Sequence, residues 1–118
     1  MYKFYEYAKC STCKKAKAWL TQQEVDFETI DLITQTPSAE EFEALIESSD
    51  LPLRRFFNTS GMKYRELNLK DQINDLTIQE ASRILSSDGM LVKRPMMVKD
   101  GKFLINGFNE DAYKGALE

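Results

Sequence analysis

A chain of 118 residues with 42% hydrophobic side chains has the size and apolar content to bury one core, so a single domain over residues 1–118 is expected. Its 19 acidic and 16 basic side chains are interspersed and sum to −3, which offers no concentrated basic surface for direct nucleic-acid binding. No apolar run approaches the roughly 20 residues that span a bilayer, and the Met1-Tyr2-Lys3-Phe4 start lacks a secretory hydrophobic region, so a cytoplasmic protein without membrane contact is expected.

Tyr2 to Tyr7 is aromatic and partly alternating, and reads as a first strand that runs straight into a turn holding Cys10 and Cys13. From Cys13 to Gln23 the residues favour helix, with Ala16, Trp19, Leu20 and Gln23 on one side and only the apolar three expected to be buried. Val25 to Leu32 alternates and gives a second strand. Pro37 followed by Ser38, with Glu41 three residues on, is a capping box, and Phe42, Leu45 and Ile46 form the apolar face of the helix it starts.

Between Leu51 and Asp71 the periodicity breaks, and short helices and loops are expected. Thr77 with Glu80 repeats the capping-box signature ahead of Ile78, Ala81, Ile84 and Leu85, and Asp88-Gly89 ends that helix. Asp100-Gly101 between Pro95–Val98 and Phe103–Ile105 is a strong hairpin signal. Asn109 caps a last short helix with Glu110 and Asp111 in its first turn. This order predicts an α/β thioredoxin-like mixed sheet flanked by helices, with a helical insertion over about residues 38–88.

In a cytoplasm that keeps thiols reduced, two cysteines three positions apart read as catalytic, redox-sensing or metal-binding, and a structural disulfide is disfavoured. At a strand-to-helix turn, Cys10 lies at the helix start, where free backbone N–H groups and the helix dipole favour a thiolate. Lys9, Lys14 and Lys15 add positive charge in the same direction. Cys13, one turn further on, is placed to attack a mixed disulfide on Cys10 and complete the exchange. Two alternatives stand beside this reading: half a zinc site, or two inert neighbours. A closed zinc site typically takes four Cys or His ligands, whereas this chain has two cysteines and no histidine, so no metal is expected.

Across nearly its whole length the sequence resembles the ArsC/Spx branch of the thioredoxin-like superfamily. The resemblance is carried by Tyr7 to Ala16, by Asn58-Thr59-Ser60-Gly61 through Tyr64-Arg65-Glu66-Leu67, by Gly89 to Pro95, and by Gly107-Phe108-Asn109-Glu110-Asp111. Within the branch it is most similar to the small YusI-like subgroup, labelled arsenate-reductase-like or Spx/MgsR-like.

For glutaredoxin-coupled arsenate reductases the resemblance implies one nucleophilic Cys and three oxyanion-holding arginines. Cys10, Arg54 and Arg94 match the nucleophile and two of the arginines, while the third position falls near Asn106. Loss of one fork weakens arsenate capture more than thiol activation. Cys13 also stands where those reductases carry no cysteine, which favours disulfide exchange over true arsenate reduction. The expected catalytic set is therefore Cys10, Cys13, Arg94 and Arg54, with Thr12, Pro95 and Asn106 as substrate contacts. Pro95 matches the cis-proline position beside the active thiol; an ordinary strand-start proline is the alternative.

The reading implies no bound cofactor, but an external thiol reductant such as thioredoxin, glutaredoxin or a low-molecular-weight thiol, with a protein disulfide as another partner, and a monomer. The second reading is an Spx/MgsR-like redox-sensing regulator acting through the RNA polymerase α subunit. Spx-type regulators use a glycine in the helical insertion for that contact, and here the loop reads Asp50-Leu51-Pro52-Leu53. Arg54 could equally pair a carboxylate on a solvated face. Asn58 to Gly61 suits a plain turn better than an anion-binding nest.

Overall fold

A computed structural model describes residues 1–117 of the chain. β1 (Tyr2–Glu6) lies inside a four-stranded sheet of order β2-β1-β3-β4, with β2 (Phe27–Asp31), β3 (Met96–Lys99) and β4 (Lys102–Asn106). β2 runs parallel to β1 with Tyr2 opposite Phe27, and β3 runs antiparallel with Phe4 opposite Met97. The β3–β4 hairpin turns at Asp100 and Gly101, both at positive φ (53° and 78°), as the Asp-Gly signal requires.

Because helices cover both faces of the sheet, its interior strands bury consecutive residues on opposite sides. Phe4 and Met97 face one core, with Ala16, Trp19 and Leu20 of α1 (Ser11–Gln22) and Tyr113 of α5 (Glu110–Leu117). Tyr5, Met96 and Val98 face the other, with Phe42, Leu45 and Ile46 of α2 (Ala39–Ser48) and Ala81 and Leu85 of α4 (Ile78–Ser87). Between α2 and α4 the chain makes 3-10 turns at Leu53–Phe56, Leu69–Asp71 and Ile73–Asp75 around the short α3 (Met62–Glu66). Phe56, Phe57 and Tyr64 pin this stretch to the second core.

Both capping boxes form: Glu41 N–H donates to Ser38 Oγ at 3.1 Å and Glu80 N–H to Thr77 Oγ1 at 3.0 Å, with both carboxylates reaching back. Asn109 caps α5 through Ala112 N–H at 3.0 Å. The stripe on α4 is Ala81, Ser82 and Leu85, with Ile78 and Ile84 half-buried at its margins. Ser82 is thus a buried polar residue on a face read from the sequence as apolar. After Asp88, the C-cap of α4, Gly89 opens a 3-10 turn at a point where a Cβ would run into the Leu32 carbonyl. Among the described residues, no helix is long and apolar enough to cross a membrane.

Candidate functional site

β1 delivers Tyr7 to a tight turn in which Cys10 N–H donates to the Tyr7 carbonyl at 3.0 Å, and α1 begins at the next residue. Cys10 is the N-cap of α1, with extended backbone angles (φ −89°, ψ 117°). Its sulfur does what a serine or aspartate oxygen does at this position: Sγ accepts the Cys13 backbone N–H at 3.2 Å. Cys10 therefore sits at the end of the helix where backbone N–H groups and the dipole favour negative charge.

Both cysteines are free thiols, but their surroundings differ: Cys10 is half-buried, Cys13 fully buried. Burial pushes the Cys13 thiol up to about 12, helped by its hydrogen bond to the Cys10 sulfur and by the Cys10 charge. The Tyr7 backbone and the Arg94 charge pull it down by less. Cys13 is accordingly protonated at neutral pH. Tyr113, in the same core as α1, donates its hydroxyl to the Gly107 carbonyl at 2.6 Å, and burial, then the Cys13 charge, raises its phenol.

A cavity of about 660 Å³ opens at Cys10. Thr12, Asn58, Ser60, Met90 and Arg94 line it, and the carboxylates of Glu66 and Asp88 beside the cations Lys63 and Arg94 keep its wall mixed in sign. Lys63 Nζ lies 4.0 Å from Asp88 Oδ2. Arg94 is held by stacking on the Tyr7 ring, 5.2 Å from its centroid, and by donating Nη1 to the Met90 carbonyl at 3.3 Å. Its Nε is buried without a hydrogen-bond partner. The Arg94–Pro95 peptide is cis, and Pro95 is buried behind the arginine.

Of the residues singled out in the sequence, Cys10, Thr12 and Arg94 meet at this cavity, with Cys13 directly beneath Cys10. Arg54 and Asn106 are not among its lining residues. Arg54, in the 3-10 turn Leu53–Phe56, lines a neighbouring cavity, and Asn106, at the end of β4, donates Nδ2 to the Arg55 carbonyl at 2.7 Å. Tyr7, the platform for Arg94, carries no local signal in the sequence that would mark it as a site residue. The segment Asn58–Gly61 is a turn, as expected, with Gly61 N–H on the Asn58 carbonyl at 3.1 Å, but it also forms part of the cavity wall. Among the described residues, no group of three or more Cys, Asp or Glu side chains converges as a metal site.

The model of the ArsC family matches residues 5–116, nearly the whole chain. The chain belongs to the ArsC family. Its similarity to the uncharacterized protein YusI of Bacillus subtilis is 50% identity, over 94% of this chain and 93% of YusI. To the global transcriptional regulator Spx of Lactiplantibacillus plantarum it is 32% identical, over 92% of this chain and 80% of that one. A crystal structure of a Streptococcus mutans protein described as a possible arsenate reductase superposes with a TM-score of 0.90 at 47% identity, covering 94% of this chain and 96% of that one. The ArsC-family sheet and its flanking helices are thus thioredoxin-like.

Proposed function

We propose that this ArsC-family protein is a thiol–disulfide oxidoreductase in which Cys10 attacks and Cys13 resolves. The observation that carries the reading is the helix cap: a half-exposed sulfur accepting the Cys13 N–H at 3.2 Å, with a second, buried thiol against it.

In the reaction, the Cys10 thiolate attacks one sulfur of a substrate disulfide; an S–S bond forms to Cys10, the substrate S–S bond breaks, and one substrate thiolate leaves. Cys13 then attacks Cys10 Sγ, its proton passes to the departing second substrate thiolate, and a Cys10–Cys13 disulfide remains. The substrate has gained two electrons, and an external dithiol returns them to the protein. Forming the mixed disulfide removes two of the influences that hold Cys13 protonated, the Cys10 charge and the hydrogen bond to its thiolate, so the resolving step is enabled by the first. Arg94, on the cavity wall with a free buried Nε, stabilises the negative charge at sulfur. We place this chemistry in the cytoplasm, where thioredoxin, glutaredoxin or a small thiol supplies the electrons.

Turnover of a small disulfide coupled to thioredoxin tests the reading, with arsenate as a parallel substrate. Disulfide turnover that Cys10→Ser and Cys13→Ser each abolish is expected, with arsenate reduced poorly. Undiminished turnover in Cys10→Ser sinks it.

The similarity to Spx supports a second reading, a redox-sensing regulator contacting the RNA polymerase α subunit. Capture of that subunit by only one of the reduced and oxidised forms, without disulfide turnover, favours this alternative.

A further inference from the structure

Next to the thiol cavity lies a second one, of about 620 Å³. The two share a wall made of the Phe57–Gly61 turn and the Val92–Arg94 segment, which are joined by the Phe57–Val92 bridge, Asn58 N–H on the Leu91 carbonyl at 2.8 Å and Lys93 N–H on the Phe56 carbonyl at 2.9 Å. Successive wall residues serve opposite sides: Asn58, Ser60 and Arg94 line the thiol cavity, and Thr59 and Lys93 line the other.

The charge of the second cavity is of one sign. Arg54, Arg55, Lys70 and Lys93 line it and no carboxylate does, although the chain has more acidic than basic residues. The thiol cavity, by contrast, sets Glu66 and Asp88 against its own cations. Four cations around one concavity repel one another and raise a local positive potential that only an anion relieves. Thr59 and Asn74 add neutral donors, and the buried Phe57, Tyr64 and Ile73 give an apolar floor. The size is that of a small-molecule site. The guanidinium forks suit the paired oxygens of phosphate or carboxylate, and the lysines add point charges.

We propose that this cavity binds a small polyanion, a molecule with two or more phosphate or carboxylate groups, through Arg54, Arg55, Lys70 and Lys93. A single monovalent group would leave most of the charge uncompensated, which is why the site selects for several. The proposal is independent of the thiol chemistry.

Isothermal titration with pyrophosphate and with citrate, each against sodium chloride at matched ionic strength, tests it on the intact protein. The expected result is one saturable site, weakened about tenfold or more by Arg55→Glu/Lys70→Glu and severalfold by each of Arg55→Gln and Lys70→Gln, all with wild-type circular dichroism. Binding of pyrophosphate alone identifies a phosphorylated ligand, and of citrate alone a polycarboxylate. Heats no larger than those of matched chloride overturn the proposal. So does polyanion binding that survives the Gln variants and is lost in Arg94→Gln, since that places the anion at the thiol cavity.

Discussion

At Cys10 and Cys13 burial and one turn of helix give the same thiol group two different surroundings. Iodoacetamide at neutral pH should modify Cys10 about tenfold or more faster than Cys13, because Cys13 is fully buried and pushed up to about 12 while Cys10 opens on a cavity; peptide mapping after a timed quench measures it, and equal labelling contradicts it. Replacing Arg94 by Gln removes the charge stacked on Tyr7 and should slow Cys10 alkylation and disulfide exchange together without displacing the helix cap. The position of Cys10 at a helix cap is legible in the sequence because a strand-turn-helix pattern puts it there. The Tyr7–Arg94 stack was not, since nothing local to either residue states that the ends of β1 and of the insertion meet. Arg54 shows the same limit: matching a family position does not say which side of a wall the side chain faces, and here it faces the neighbouring cavity.

Among the elements, those with explicit stop and start chemistry were the most readable. Ser38 and Thr77 each close a capping box, and Ser38→Ala or Thr77→Ala should lower stability by about 1 kcal/mol in urea unfolding, with no effect on disulfide turnover. Gly89→Ala, which drives a methyl into the Leu32 carbonyl, should cost about 2–3 kcal/mol by the same measurement. The stretch from Leu53 to Asp75 was readable only as short helices and loops, because its 3-10 turns are too short to display a period. Ser82 falls four residues after Ile78, on the buried side of α4, where its hydroxyl has no partner; a polar residue there is invisible to apolar counting.

For the molecule as a whole, the two-sided sheet explains why the adjacent β1 residues Phe4 and Tyr5 are both aromatic and buried, and the same burial makes stability depend on alkaline pH. Cys13 keeps its proton in the folded state up to about 12 and loses it near 9.0 in the unfolded chain, so the folded state binds more protons between those values. Stability is therefore unaffected below pH 9 and falls as pH rises from 9 towards 12, by up to about 1.4 kcal/mol per pH unit for this group. Tyr5, Tyr64 and Tyr113, all raised from 10.0 by burial, add to the loss above pH 10. Cys13→Ala should remove the part of the decline that begins at pH 9, as read from urea midpoints between pH 8 and 11. The gathering of Arg54, Arg55, Lys70 and Lys93 was illegible for a related reason: three separate segments supply four cations that are scattered in sequence and share a cavity only after folding.

The most direct test of the central claim is mass spectrometry of the protein oxidised with a mild disulfide reagent and digested without reduction. The expected product is a peptide linked between Cys10 and Cys13, lighter by two hydrogen atoms than its reduced form, and in Cys13→Ser a stable adduct on Cys10. An oxidised protein without the Cys10–Cys13 link, or one whose adduct resides on Cys13, contradicts it.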